Sequence, residues 1–261
     1  MTRLKIFFTA FALFFLAGCF EINEDIDVKA DGSGVFSYHM DMSQLLLAMQ
    51  SYLGKEEMDK QLPPRNIDTT VMMRTLLDTA KNVSAENKKL IHDGTVHLKL
   101  NMEKKEFSSD VVIPFKSLSD LQKLYNSMNN QTLGFTQLFK GLAGKTDTSS
   151  IGGTDTGGGT PDMNQFNAIY DFESHDGLLS RKLNQTKWKE LQQSPQFAQM
   201  KEAGSMGISI PYTLTVAVPR PVKKIDNPLA KLFPDRKKVV LQYNLTEVFE
   251  HPEKFEYTIV Y

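Results

Sequence analysis

Ile208-Ser209-Ile210-Pro211-Tyr212-Thr213-Leu214-Thr215-Val216-Ala217-Val218 decides the fold. Ile208, Ile210, Tyr212, Leu214, Val216 and Val218 share one parity. Polar or small residues fill most of the other, which is the period-two pattern of a half-buried strand. Val239, Leu241, Tyr243 and Leu245 repeat the pattern, and so do Phe255, Tyr257, Ile259 and Tyr261. Upstream, 166–174 and 178–183 form a hairpin around His175-Asp176-Gly177, and a helix carrying Trp188, Leu191, Phe197 and Met200 follows. Strands joined by hairpins and interrupted by helices predict an α+β fold with antiparallel sheet.

The N-terminal half has the same grammar. Ile22, Ile26, Val28 and Ala30 alternate, Asp31-Gly32-Ser33-Gly34 is a turn, and Phe36, Tyr38, Met40 and Met42 alternate again, so 20–42 reads as a hairpin. Ser43 is suited to N-cap a helix carrying Leu45, Leu46, Met49 and Leu53. After Pro63-Pro64 a second helix is expected over 68–80, with Val71, Leu76 and Leu77 on its apolar stripe. Val96, Leu98, Leu100 and Met102 form a strand that returns over 111–115, and Ser117 or Ser119 caps a helix through Leu121, Leu124 and Met128. The stretch 141–162 is rich in Gly, Ser, Thr and Asp and reads as a linker or long surface loop. The expected architecture is antiparallel sheet built from hairpins, with helices packed on one face. It forms one or two lobes, 19–140 and 163–261, on either side of 141–162.

The first residues set where that body works. Arg3 and Lys5 precede an apolar run over 6–16 interrupted only by Thr9, and Leu16-Ala17-Gly18-Cys19 follows. Positive segment, apolar segment and small residues make a secretory signal over 1–18. The ending resembles the lipobox of bacterial lipoproteins. That resemblance implies cleavage between Gly18 and Cys19 and attachment of diacylglycerol and a further acyl chain, palmitate for example, to Cys19. The run is shorter than the roughly 20 apolar residues a membrane-spanning helix needs. Cys19 is the one cysteine of the chain, so no disulfide is available and stability comes from burial. Hydrophobic residues at 41% and 17 phenylalanines are enough to build a core. A formal charge of −1, more acidic once Arg3 and Lys5 are removed, argues against a nucleic-acid binder.

Several motifs suggest chemistry and lack its context. Gly144-Lys145-Thr146 has Phe139 where a phosphate loop requires glycine, and Asp155-Thr156-Gly157 lies among glycines rather than beside a buried strand. His92 and His97 flank Asp93-Gly94, too few ligands for a metal centre. Asp25, Asp27 and Asp31 have Lys29 where a calcium loop needs oxygen, and read either as the solvated face of the first strand or as repelled by anionic headgroups. A serine, His175 and Asp176 cannot be assembled into a triad without spatial information, and there is no Gly-x-Ser-x-Gly turn. Neither a catalytic residue nor a cofactor is expected. One stretch stands out by charge. Arg220, Lys223, Lys224, Lys231, Arg236, Lys237 and Lys238 share 220–238 with only Asp226 and Asp235 as acids, among Pro219, Pro221, Pro228 and Pro234. It reads as a proline-stiffened connection between strands. Alternatively, Arg220, Lys223, Lys224, Arg236, Lys237 and Lys238 form a patch for anionic headgroups or an acidic partner.

A lipobox followed at once by strand, Asp-Gly-x-Gly turn and strand, with a later strand ending Val218-Pro219 and a further strand over 238–245, resembles LppM-type bacterial envelope lipoproteins. The resemblance implies an α+β body and an envelope or lipid-binding role. This chain departs from the type in lacking a C-terminal membrane helix and in carrying 141–162. The expected function is therefore a non-catalytic binding or scaffolding role in the bacterial envelope. The protein would be membrane-attached through Cys19, with an envelope protein or lipid as partner. Phe20 in place of an aspartate favours the outer over the inner membrane where two are present. A carrier of a hydrophobic ligand is the second reading and an envelope hydrolase the third. A carrier needs a dry cavity lined by Phe and Met. A scaffold needs a filled core and an exposed apolar patch.

Overall fold

The computed structural model describes residues 21–54, 56, 66–77, 83–129, 167–194, 197–198, 201 and 209–261. Gly18, Cys19, Met200, Ile208 and all of 141–162 lie outside them.

The N-terminal hairpin forms as its alternation predicts. Glu21–Val28 (β1) pairs antiparallel with Gly34–Asp41 (β2) across a turn closed by the Lys29 amide donating to the Ser33 carbonyl at 2.8 Å. Gly32 takes φ +80°, which only glycine adopts without strain. Gly34 is required for a different reason. A Cβ there would lie 2.0 Å from the Asp27 carbonyl oxygen and 2.3 Å from the Phe115 ring, so the second glycine of the turn admits a close approach.

Strand Glu106–Phe115 (β5) pairs with β2, Thr95–Asn101 (β4) with β5, and Asn66–Met72 (β3) closes that edge against β4. Here the structure corrects the helix expected over 68–80. Residues 66–72 are strand, helix begins only at Met73 in Met73–Leu77, and 78–80 lie outside the described residues. The alternation of Ile67, Thr69 and Val71 with Asp68 and Thr70, β-branched on both faces, fits an edge strand better than a helix. Ser43 is also corrected. It is the first residue of helix Ser43–Leu53 (α1) rather than its cap, and its hydroxyl accepts from the Phe107 amide at 3.0 Å, tying the helix to β5. Of the two serines proposed to cap Leu118–Asn129, Ser117 does so, accepting from the Asp120 amide at 3.1 Å.

On the other side of β1 lies Pro211–Ala217 (β8), paired parallel to it. Beyond β8 come Lys238–Asn244 (β11) and the two-residue Lys231–Leu232 (β10), giving an eight-stranded sheet in the order β10-β11-β8-β1-β2-β5-β4-β3. The β1·β8 pair is its one parallel contact and joins residues from 19–140 to residues from 163–261 in a single sheet. Tyr170–His175 (β6), Leu178–Leu183 (β7), Tyr257–Val260 (β12) and Lys224–Ile225 (β9) make a second sheet, order β6-β7-β12-β9. The short strands β9 and β10 give 220–238 more structure than its prolines suggested.

One face of the large sheet is buried. Ile22, Ile26, Phe36, Val111, Ile113, Leu214, Val216, Val239 and Leu241 share a single core with Tyr170, Phe172, Leu179, Tyr257 and Ile259 of the small sheet and with Leu121 and Leu124 of the helix Leu118–Asn129. Leu46 of α1 covers a satellite cluster of Leu100 and Met102 at the far end of β4. The opposite face of the large sheet is polar and open, as alternation requires of a one-sided antiparallel sheet.

Candidate functional site

Three groupings of polar residues emerge from this frame, and each occupies a different place in it. The first is inside. Glu24 sits at an inward position of β1, between Ile22 and Ile26, and is 1% exposed. Its two carboxylate oxygens accept the hydroxyls of Tyr125, from the helix Leu118–Asn129, and of Tyr212, from β8. Tyr38 stands directly opposite it on β2, and Tyr243 opposite Tyr212 on β11, with those two rings stacked at 5.1 Å. From the small sheet Arg181, 3% exposed, lays its guanidinium 4.2 Å from the centre of the Tyr170 ring and donates to Asn167 Oδ1 at 2.9 Å. Tyr257 is its cross-strand neighbour. Burial first, and then the Glu24 charge, push the phenols of Tyr38, Tyr125, Tyr212 and Tyr257 upward. The carboxylate, which solvent does not reach, ties the large sheet to the helix by these two hydrogen bonds and acts on Arg181 of the second sheet through its charge. Its chemistry is cohesion. Sequence reading passed over it, although it left a trace: Glu24 is the charged residue on the apolar parity of β1, and Arg181 shares the parity of Leu179.

The second grouping crosses the open face of the large sheet. His39 Nδ1 lies 2.6 Å from Asp110 Oδ1, His97 Nδ1 3.3 Å from Asp110 Oδ2, and His97 Nε2 3.0 Å from Asp68 Oδ1. Register explains the row, since His39, Asp110 and His97 are direct cross-strand neighbours on β2, β5 and β4. His92 pairs instead with Asp93 at 2.8 Å, so the two histidines that flank the turn do not share a partner. Among the described residues no three His, Cys, Asp or Glu side chains converge as metal ligands. The hydrogen bond to Asp68, with that to Asp110 added, raises the His97 pKa above its usual value. A raised histidine pKa contributes stability in full below about pH 6.5 and loses it as pH rises through the folded value. An NMR titration of the imidazole should give a midpoint above about 6.5, lowered by Asp68→Asn. A wild-type midpoint at or below that value would remove the row as an electrostatic support.

The third grouping is the basic connection. Parallel pairing carries β8 in the direction of β1, so both leave the sheet at the end away from Glu21 and the connection starts there. Much of its charge is engaged. Arg220 pairs with Asp176, Arg236 donates from Nε and Nη2 to the Val222 carbonyl at 3.1 and 2.6 Å, and Lys223 reaches the Tyr261 carbonyl at 3.5 Å. Lys238 stands 5.1 Å from the Phe233 ring. Lys224 and Lys237 have no ion-pair partner among the described residues. Phe233 and Leu229, at 43% and 39% exposure, add apolar surface to the same segment. His175 is 3.6 Å from Glu173, while Asp176 is taken by Arg220, so these two residues serve separate ion pairs. Asp25 and Asp27 are exposed on the outer face of β1, and Asp31 accepts from the Ser33 amide and hydroxyl within its turn.

Together these features define an α+β body of two facing sheets, with a closed, partly polar core and a basic end. Among solved structures, the chain is similar to the NMR structure of the folded domain of the Mycobacterium tuberculosis LppM protein, at 10% identity and a TM-score of 0.35 over 93% of this chain and 90% of that one. No protein-family model matches the chain, and neither does any curated protein. Among the described residues no helix is long and apolar enough to cross a membrane.

Proposed function

We propose that this protein is a non-catalytic binding or scaffolding component of the bacterial envelope, tethered through lipidated Cys19 and working through the end of its sheet remote from the tether. One observation carries the reading. Glu21 opens β1 two residues after Cys19, a reach of about 7 Å at most, and β1 and β8 then run in parallel to the basic connection at their other end. Eight residues of strand cover roughly 25 Å, so Lys237, Lys238 and Phe233 are held away from the bilayer that Cys19 would enter.

The core supports binding at the surface over carriage of a ligand within. Tyr125 stacks on Phe172 at 3.9 Å, Tyr243 packs on Phe255 at 4.3 Å and Phe36 meets Tyr125 edge-on at 5.5 Å, so aromatic side chains pack against one another within the shared core. Exposed Phe233 and Leu229 beside unpaired lysines suit a partner with an acidic rim and an apolar centre. Photo-crosslinking in living cells tests this. A crosslinking residue placed at Phe233 or Lys237 of the full chain should capture a discrete partner, and one at Asp41 or Glu106, near the tether, should not. Capture confined to the tether end would reverse the proposed orientation.

A further inference from the structure

A basin of about 310 Å³ opens at the same end of the large sheet, on the β3–β4 side, lined by Arg74, Leu77, Lys88, Lys89, His92, Asp93 and Lys116. We propose that it is a binding site for a phosphate group, free or carried on a larger molecule. The site goes beyond the tethered-scaffold reading and stands without it.

The fold builds the basin from four separate pieces of chain. The short helix Met73–Leu77 follows directly on β3 and supplies Arg74 over the buried side chain of Leu77. Helix Ala85–Ile91, capped by Ser84 accepting from the Asn87 amide, presents Lys88 and Lys89 in its last turn. His92 and Asp93 occupy the turn into β4, and Lys116 follows β5. Gly94 allows these pieces to close on one another. A Cβ there would meet Met73 Sδ at 2.9 Å, the Val112 carbonyl at 3.0 Å and the Ile91 carbonyl at 3.1 Å, and the Met73 amide donates to the Gly94 carbonyl at 2.8 Å.

Four basic side chains therefore share the basin with one carboxylate, and that carboxylate is already engaged by His92. The Asp93 pKa is lowered first by this hydrogen bond and further by the charges of Lys116 and Arg74, which reach it from two other elements. None of Arg74, Lys88, Lys89 or Lys116 has an ion-pair partner among the described residues, whereas Lys99, Lys123, Lys182, Lys187 and Lys254 each have one. Lys88 and Lys89 also suit the negative end of their helix. Arg74 does likewise in its own short helix, whereas Lys116 follows a strand and has no such local reason to gather there. Like charges held together around a concavity repel one another, and a bound anion reverses the sign of that interaction. Arg74 offers the forked donor geometry that matches phosphate, and the lysines serve as point charges. The volume lies at the bottom of the range of roughly 300–1,000 Å³ for small-molecule sites, a size for a phosphate or diphosphate group rather than a large ligand.

The test uses the full chain reconstituted in neutral phosphatidylcholine vesicles. Inorganic pyrophosphate is titrated calorimetrically, and docking of a second vesicle population containing phosphatidic acid is measured in parallel. Saturable binding of pyrophosphate supports a soluble phosphate-bearing ligand, and docking of the second vesicles without it supports a lipid headgroup. In either arm Arg74→Gln with Lys116→Gln should weaken binding at least tenfold. Lys182→Gln with Lys254→Gln, both elsewhere on the surface and already ion-paired, should leave pyrophosphate binding unchanged. All four positions are exposed, and circular dichroism verifies that each variant is folded. Absence of saturable binding in both arms overturns the proposal, as does binding by the Arg74/Lys116 variant equal to that of the parent.

Discussion

Between about pH 10 and pH 11 the protein is expected to unfold in one step, releasing its tyrosine protons together. Tyr38, Tyr125, Tyr170, Tyr212, Tyr243 and Tyr257 are all held above the ordinary phenol value, by burial first and, for all but Tyr170, by the negative charge of Glu24. Below the unfolded pKa of about 10 both states keep these protons, so the tyrosines add no pH dependence. Above it the unfolded chain releases them and the folded chain retains them, so stability falls as pH rises. Each site removes about 1.4 kcal/mol per pH unit. Six acting together remove on the order of 8 kcal/mol by about pH 11, comparable to the whole stability of a domain. Tyrosinate absorbance and far-ultraviolet circular dichroism should change with the same midpoint. Gradual ionisation near pH 10 with the dichroism intact would show that the phenols are accessible and the cluster is not as described.

Replacing Glu24 by alanine is the substitution with the largest expected cost. Tyr125 and Tyr212 would lose their acceptor in a site that water does not reach, each at about 1–3 kcal/mol. Arg181 would keep its charge in a core stripped of the acid. The two orphaned phenols together cost about 2–6 kcal/mol, which lowers Tm by roughly 10 °C in a protein of this size. Glu24→Gln retains a carbonyl oxygen for one of the two phenols and should lose about half as much. A thermal melt of Glu24→Ala within a degree or two of the parent would mean that the tyrosines find other acceptors.

Much of this fold can be read from alternation, because burial on one face of a sheet forces it. The hairpin over 21–41, the strands around Leu98, Val111, Leu214 and Leu241, and the helix through Leu121 and Leu124 all follow from it. Residues 66–72 are harder, since Thr69 and Thr70 give little contrast between faces and, among the described residues, the strand pairs on one edge alone. Strands β9 and β10 are two residues each and carry no period. The core cluster left a faint trace, a glutamate at an inward position, whose meaning depends on a tyrosine 188 residues away. The phosphate basin left none. Arg74, Lys88, Lys89 and Lys116 look like ordinary surface charge until strand register brings them to one corner.

The parallel pairing of β1 with β8 also sets the order in which the molecule can be completed. A chain is made from its N-terminus, at about 5–20 residues per second, so β1 and its hairpin partner exist well before the strand that covers β1's other edge. During that interval Glu24 stays hydrated and the edge stays open, an arrangement that invites pairing with the wrong chain. Closing so long a loop is slow. The nascent protein lacks both the cover for that edge and one of the two donors to Glu24 until Tyr212 arrives. A chaperone acting on it would have most to protect in the half already synthesised.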